Sequence, residues 1–159
     1  MEWTQEFIDE LIKCDKHILK SPTNLKLEFG HYRTSFELQS SDEKYFFSVF
    51  GRYNAMFYEN FSVGLVFIPK NEKGTYIILR CNGLHGEHRM FPHHSYYHIH
   101  KITPDAIHEG LKEEAVIEIT EKYSNFEDAL NFFVRYIHID IADITKHFPS
   151  KDSQLKMFE

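Results

Sequence analysis

The segment FSVGLVFIPKNEKGTYIILRC, residues 61–81, decides the fold class of this chain. Its two apolar runs are rich in β-branched and aromatic residues, and each has the length of a strand rather than of a helix. Between them, Asn71-Glu72-Lys73-Gly74 supplies turn residues, and Gly74 can adopt the positive φ that tight hairpin loops require. The segment therefore predicts an antiparallel β-hairpin.

The sequence on both sides of this hairpin predicts further strands and two helices. Alternation of apolar and polar residues predicts strands within 25–29, 36–38, 44–53, 96–102 and 115–120. Three- and four-residue spacing of apolar residues predicts helices over 4–20 and 124–137. The expected fold is α+β: one domain over residues 1–147, with a mostly antiparallel sheet of about six strands flanked by an N-terminal and a C-terminal helix. Residues 148–159 are expected to form a polar C-terminal tail.

Composition limits the classes of protein to which this chain can belong. With 159 residues, of which 42% are hydrophobic, the chain suits one globular domain. No apolar run approaches the roughly 18 residues that a membrane span needs, and the acidic N-terminus lacks the pattern of a signal peptide. Only Cys14 and Cys81 are present, so a disulfide framework is not expected. These features predict a cytoplasmic protein without a membrane partner.

The charges are unevenly distributed along the chain. A net charge of -6 excludes a general nucleic-acid coat, which needs a basic surface. Residues 105–128 contain eight acidic side chains against two lysines. Residues 80–101 instead contain Arg80, Arg89 and Lys101 against Glu87 alone. The sequence thus predicts a locally cationic site in an acidic protein.

That cationic region also contains six of the eleven histidines, within HGEHRMFPHHSYYHIH, residues 85–100. His98 and His100 flank Ile99, and alternate residues of a strand point to the same face. Tyr96 would share that face. We expect a histidine-lined cleft near the strand end at Cys81-Asn82-Gly83.

Metal-free acid–base chemistry on RNA or a nucleotide is one interpretation of this cluster. Two imidazoles can remove a 2′-hydroxyl proton and protonate the leaving oxygen, and a guanidinium can stabilise the phosphate charge. The candidate catalytic residues are His98, His100 and His85. The candidate substrate-binding residues are Arg80, Arg89, Asn82 and Tyr96. If His98 or His100 is catalytic, replacing it by alanine should abolish activity with thermal stability nearly unchanged.

Three other interpretations remain open at the level of the sequence. The histidines could be ordinary residues of an exposed or interfacial strand, where they offer apolar bodies with polar tips. His98, His100 and His88 could ligate a divalent metal such as zinc and make the protein a metal-dependent hydrolase. Alternatively, the protein is a non-enzymatic binding module of an antitoxin-like or anti-defence kind. It would then engage a protein partner through the aromatic–histidine strand and the acidic segment 105–128, including Glu113 and Glu114.

Parts of the chain also resemble known families. Leu79, Arg80, Gly83 and His85, followed by His98-Ile99-His100 and the later Phe126-Glu127-Asp128-Ala129-Leu130, are similar to motifs of bacterial and phage-associated proteins known only as a domain of unknown function. The element Phe91-Pro92-His93-His94 resembles that of TumE-type toxins of toxin–antitoxin systems. These resemblances cover roughly residues 76–138. They imply a bacterial or phage accessory protein of toxin or defence type, with an antitoxin or a defence component as its protein partner, acting on nucleic acid.

Overall fold

The computed structural model describes residues 2–84, 96–111 and 116–149. Its helices are α1 (Gln5–Lys13), α2 (Pro104–His108), α3 (Phe126–Tyr136) and α4 (Ile141–His147). Its strands are β1 (Lys16–Lys20), β2 (Lys26–Glu28), β3 (His31–Ser40), β4 (Phe46–Asn54), β5 (Phe61–Ile68), β6 (Tyr76–Asn82), β7 (His98–Lys101) and β8 (Val116–Ile119).

These strands form one antiparallel sheet of eight strands in the order β1-β3-β4-β5-β6-β7-β8, with β2 pairing separately with β3. The predicted hairpin at residues 61–81 is confirmed as β5 and β6, and Gly74 in its turn has a φ of 90°. The predicted α+β class is confirmed as well. Among the described residues, no helix is long and apolar enough to cross a membrane.

The N-terminal helix is shorter than the sequence predicts. Thr4 caps it as expected, by accepting a hydrogen bond from the backbone N–H of Phe7. The chain turns extended at Cys14, and residues 16–20 form β1, which pairs with β3. The prediction of a helix to residue 20 was therefore wrong. Ile18 and Leu19 continue the helical spacing of apolar residues, but the backbone hydrogen bonds of the sheet outweigh that local preference.

One face of the sheet carries the hydrophobic core. Side chains of β4, β5 and β6 on this face pack against α3, and β6 also contacts α1. Trp3 and Phe7 bring their rings to 5.9 and 6.1 Å from the ring of Phe67 on β5. Phe148, the first residue of the predicted tail, is buried with its ring 5.3 Å from Phe36. The tail from residue 150 lies outside the described residues.

The opposite face carries polar and charged side chains arranged in two rows that cross the strands. Cross-strand pairing places one row as Lys26, Arg33, Arg52, Ser62, Asn82, His98 and Ile119. The neighbouring row is Ser35, Phe50, Gly64, Arg80, His100 and Ile117. Each row thus links a basic or aromatic residue of the central strands to one of the two histidines of β7.

Candidate functional site

His98 and His100 lie side by side on the polar face of β7. Their ring centroids are 4.8 Å apart, while Ile99 between them is buried in the core. Asn82 pairs with His98 and Arg80 pairs with His100 across the β6–β7 ladder. The alternation of residues 98–100 therefore placed both imidazoles on one face as predicted, next to two of the predicted substrate-binding residues.

Hydrogen bonds fix the orientation of the His98 ring. Its Nδ1 lies 2.7 Å from the backbone carbonyl oxygen of Tyr96, so Nδ1–H is the donor, since a carbonyl oxygen can only accept. The Asn82 side-chain nitrogen lies 3.5 Å from Nε2 of His98, and the Ser62 hydroxyl lies 2.6 Å from the Asn82 side-chain oxygen. This chain of contacts fits a neutral imidazole whose lone pair is on Nε2.

The same group is also deeply buried. His98 is 0% exposed, Ser62 1%, Asn82 2% and His100 7%. A side chain without exposed surface cannot touch a substrate in this conformation, so His98 and Asn82 hold the strands in place here. His100 has the larger accessible area of the two imidazoles and lies directly opposite Arg80.

Tyr123 strengthens this arrangement from the core side. Its hydroxyl lies 2.7 Å from the carbonyl oxygen of His98 and 3.0 Å from that of Asn82, so it bridges the two strands. Burial raises the pKa of the Tyr123 hydroxyl, which keeps it a neutral donor. The relative position of β6 and β7, and with it that of Arg80 and His100, is thereby set by buried hydrogen bonds.

The other predicted site residues contribute less or lie elsewhere. Tyr96 is 54% exposed and contacts His98 through its backbone carbonyl. His85, Arg89 and His88 lie outside the described residues, so their catalytic, phosphate-binding and metal-binding roles stay predictions.

The part of the chain that the structure describes does not provide a complete set of metal ligands. That part contains no group of three His, Cys, Asp or Glu side chains that could hold an ion. His98 could offer only Nε2, because its Nδ1 proton is donated to a carbonyl. The predicted set of His98, His100 and His88 thus depends on the third residue, and the metal hypothesis stays a prediction.

A cationic groove on the polar face was not predicted from the sequence. It has a volume of about 640 Å³, and the described residues of its lining include Lys26, Arg33, Arg52 and Arg80 against a single carboxylate, Glu28. Lys26 and Glu28 approach to 3.8 Å. The groove therefore keeps a positive charge although the whole chain is acidic.

Arg33 and Arg52 are the centre of this charge. They face each other directly across β3 and β4, where like charges repel. Burial, followed by the charge of Arg33, lowers the pKa of Arg52, yet a guanidinium stays protonated. In the three described ranges, neither side chain forms a salt bridge with a carboxylate. Two adjacent guanidinium groups that repel each other and lack a carboxylate partner among the described residues are typical of a site that binds an anion.

An aromatic ring lies between the arginines. Phe50 occupies the space above Gly64, since a Cβ atom at Gly64 would collide with the Phe50 ring. That Cβ atom would also lie 3.2 Å from Cγ of Arg80, so the Arg80 stem lies beside the ring. The guanidinium carbon of Arg52 is 6.0 Å from the ring centroid. Phe50 is half-buried, with guanidinium-bearing side chains on two sides.

Comparison of the chain with protein-family models, curated proteins and solved structures finds no match. The resemblances drawn from short motifs between residues 76 and 138 therefore stay predictions.

Proposed function

We propose that this protein binds single-stranded RNA on the polar face of its sheet. The observation that carries the proposal is the placement of Arg52 and Arg80 beside the ring of Phe50, with Arg33 opposite Arg52 in the same groove. Guanidinium groups bind phosphates, and an accessible aromatic ring stacks with an unpaired base. Duplex RNA hides its base faces, so this combination favours a single strand.

The two cross-strand rows give the bound strand a direction. Adjacent strands are about 4.8 Å apart, so the four strand spacings from β3 to β7 cover roughly 19 Å. An RNA strand with one phosphate at Arg33 and a second phosphate at Arg52 could place a base on Phe50 and continue past Arg80 toward His100. The net charge of -6 opposes contact elsewhere on the protein and confines RNA to this groove.

Fluorescence anisotropy with a labelled single-stranded oligonucleotide tests this proposal. Neutralising two phosphate contacts in Arg33→Gln/Arg52→Gln should weaken binding. It should also reduce the salt dependence of log K by about 1.4, since each contact to a single strand contributes about 0.7. Phe50→Leu should weaken binding roughly five-fold or more, because stacking of one base contributes about 1–3 kcal/mol.

Arg135→Gln is the matched control, because Arg135 is an exposed arginine of α3, the helix that packs on the core face. Its affinity and salt dependence should equal those of the unaltered protein. Absence of binding at low salt, or equal losses in the control and the groove variants, would refute the proposal.

Cleavage of the bound RNA is a second candidate, favoured by the position of His100 in the same row as Phe50 and Arg80. In that reaction His100 would take the 2′-hydroxyl proton as the oxygen attacks phosphorus. The 5′-oxygen would leave with a proton from a second acid, and a 2′,3′-cyclic phosphate would form. His85 remains the predicted candidate for that acid.

An oligonucleotide with a single 2′-deoxy position distinguishes the two candidates. It should bind as well as RNA but resist cleavage at that position. The unaltered protein and His100→Gln are each incubated with RNA, and the products are separated on a gel. If the unaltered protein gives no more cyclic phosphate product than His100→Gln, the protein binds RNA and does not cleave it.

A further inference from the structure

A second cavity lies on the core side of the sheet, where α3 begins. Its volume is about 610 Å³, which is within the range of small-molecule sites. Three aromatic rings, those of Tyr53, Tyr58 and Phe126, line it together with the carboxylates Glu59 and Glu127. The proposed RNA site on the opposite face does not use any of these residues.

The three rings form adjoining walls. The rings of Tyr53 and Tyr58 are 5.9 Å apart and nearly perpendicular, at 76°. Those of Tyr53 and Phe126 are 5.0 Å apart at 48°. Rings inclined to one another in this way can present more than one π face to the same space, which is the arrangement of sites that enclose an organic cation.

The cavity walls are held in place by the surrounding chain. The side-chain oxygen of Asn54 accepts hydrogen bonds from the backbone N–H groups of Met56 and Phe57, at 2.8 and 3.0 Å, and so orders the loop that carries Tyr58. The carbonyl of Glu59 accepts a hydrogen bond of 2.8 Å from the N–H of Leu84. The cavity is therefore formed before any ligand arrives.

Charge selects the kind of ligand. The described residues around the cavity include two carboxylates and no lysine, arginine or histidine. The start of α3 would attract an anion, but its cap Asn125 already accepts the N–H of Asp128 at 2.8 Å, and Glu127 and Asp128 add negative charge there. An anion is thus repelled, whereas a cation gains from both the carboxylates and the rings.

We propose that this cavity binds a small quaternary or methylated ammonium compound. The alkyl groups of such a cation would contact the rings of Tyr53, Tyr58 and Phe126, with Glu59 and Glu127 balancing its charge. A fully alkylated nitrogen fits better than a primary ammonium, because its alkyl groups can contact the three rings, whereas a primary ammonium is strongly hydrated.

The test uses choline and its neutral isostere 3,3-dimethylbutan-1-ol, in which carbon replaces the charged nitrogen. Both are titrated into the full chain while the tyrosine ring signals are followed by NMR. Choline should bind at least about three-fold more tightly than the isostere, and Tyr58→Leu should weaken choline about two- to five-fold. Glu59→Gln should reduce choline binding without affecting the isostere.

Matched controls come from the same loop and from the acidic surface. Phe57→Leu removes an exposed ring that does not line the cavity, and Glu121→Gln removes an exposed carboxylate elsewhere. Both should leave choline binding unchanged. Equal affinity for choline and the neutral isostere, or equal effects of Tyr58→Leu and Phe57→Leu, would overturn the proposal. Tyr58 is 67% exposed, so its replacement leaves the core intact.

Discussion

Lys16 is a buried cation on which the ends of two helices depend, and its replacement gives a quantitative test of the structure. The side chain is 0% exposed. Its ammonium group donates hydrogen bonds of 2.8, 2.9 and 2.8 Å to the carbonyls of Ile12, Cys14 and Ile137. The first two carbonyls are at the end of α1 and the third is at the end of α3, where helices leave carbonyls without internal partners.

Two opposing contributions set the effect of Lys16→Met. Loss of the ammonium group leaves two buried carbonyls and one partly buried carbonyl without that donor, at about 1–3 kcal/mol each. Against this, burial lowers the pKa of Lys16 from 10.5 to about 8, which corresponds to about 3 kcal/mol against the charged form in the folded state. We expect the variant to be less stable at pH 7 by about 3 kcal/mol, the middle of the range of about 0–6 kcal/mol that these two contributions leave.

The pH dependence gives an independent check. Between pH 8 and 10.5 the unfolded chain keeps the Lys16 proton while the folded chain has lost it. The contribution of Lys16 to the free energy of unfolding therefore rises with pH. Methionine does not titrate. The difference in stability between the two proteins should therefore grow by about 2–3 kcal/mol from pH 7 to pH 10. Groups without an interaction with Lys16 cancel in this difference, whereas Cys14, whose pKa Lys16 lowers, does not.

Urea unfolding at constant ionic strength, followed by fluorescence of the single buried tryptophan Trp3, measures this difference. The control is Lys20→Met. Lys20 is an exposed lysine of the same strand that lies 3.9 Å from Glu37, so its replacement should change stability by less than about 0.5 kcal/mol. A pH-independent difference, or a Lys16→Met protein as stable as the control, would refute the reasoning.

Three further predictions follow from buried groups of the sheet. Cys81 is 0% exposed and burial raises its pKa to about 12, so a thiol reagent should label it only on unfolding, while faster labelling would contradict its burial. Tyr123→Phe should lower stability by about 1–3 kcal/mol, because two buried carbonyls lose their shared donor; unchanged urea midpoints would argue against that bridge. Gly64→Ala should displace the Phe50 ring and reduce RNA affinity in a protein that still folds, and superimposable anisotropy curves would exclude a role for that ring.

The parts of the fold that depend on local patterns could be predicted from the sequence. The β5–β6 hairpin was predicted because its turn and both strands lie within 22 consecutive residues. The shared face of His98 and His100 follows from the two-residue period of a strand. The end of α1 was not predicted correctly, because the pairing of β1 with β3 joins segments about twenty residues apart, and the apolar spacing of Ile18 and Leu19 does not reveal it.

The cationic groove could not be predicted for a related reason. Arg33 and Arg52 are separated by nineteen residues in sequence and become neighbours only through the register of β3 and β4. A shift by one residue would place Arg52 on the other face. Burial of His98 depends likewise on which residues surround it, whereas its position on the polar face depends only on the strand. The sequence thus indicates which side chains share a face but not which of them are accessible.

The burial of His98 changes how substitutions of the two histidines should be interpreted. His98→Ala removes the partner of the Tyr96 carbonyl and of the Asn82 side chain in a fully buried setting. We therefore expect it to lower stability by about 1–3 kcal/mol, contrary to the expectation drawn from the sequence that stability stays nearly unchanged. Loss of RNA cleavage in His98→Ala could thus reflect movement of β7 rather than loss of a catalytic group.

His100→Gln is the sharper test of catalysis, because glutamine keeps polar atoms near those of the ring and cannot act as an acid or base near neutral pH. If cleavage is lost in His100→Gln while the urea midpoint and the RNA affinity are retained, His100 acts on the reaction itself. If both histidine variants lose affinity in proportion to their loss of stability, the pair supports the sheet, and the function of this face is binding by Arg33, Arg52 and Phe50.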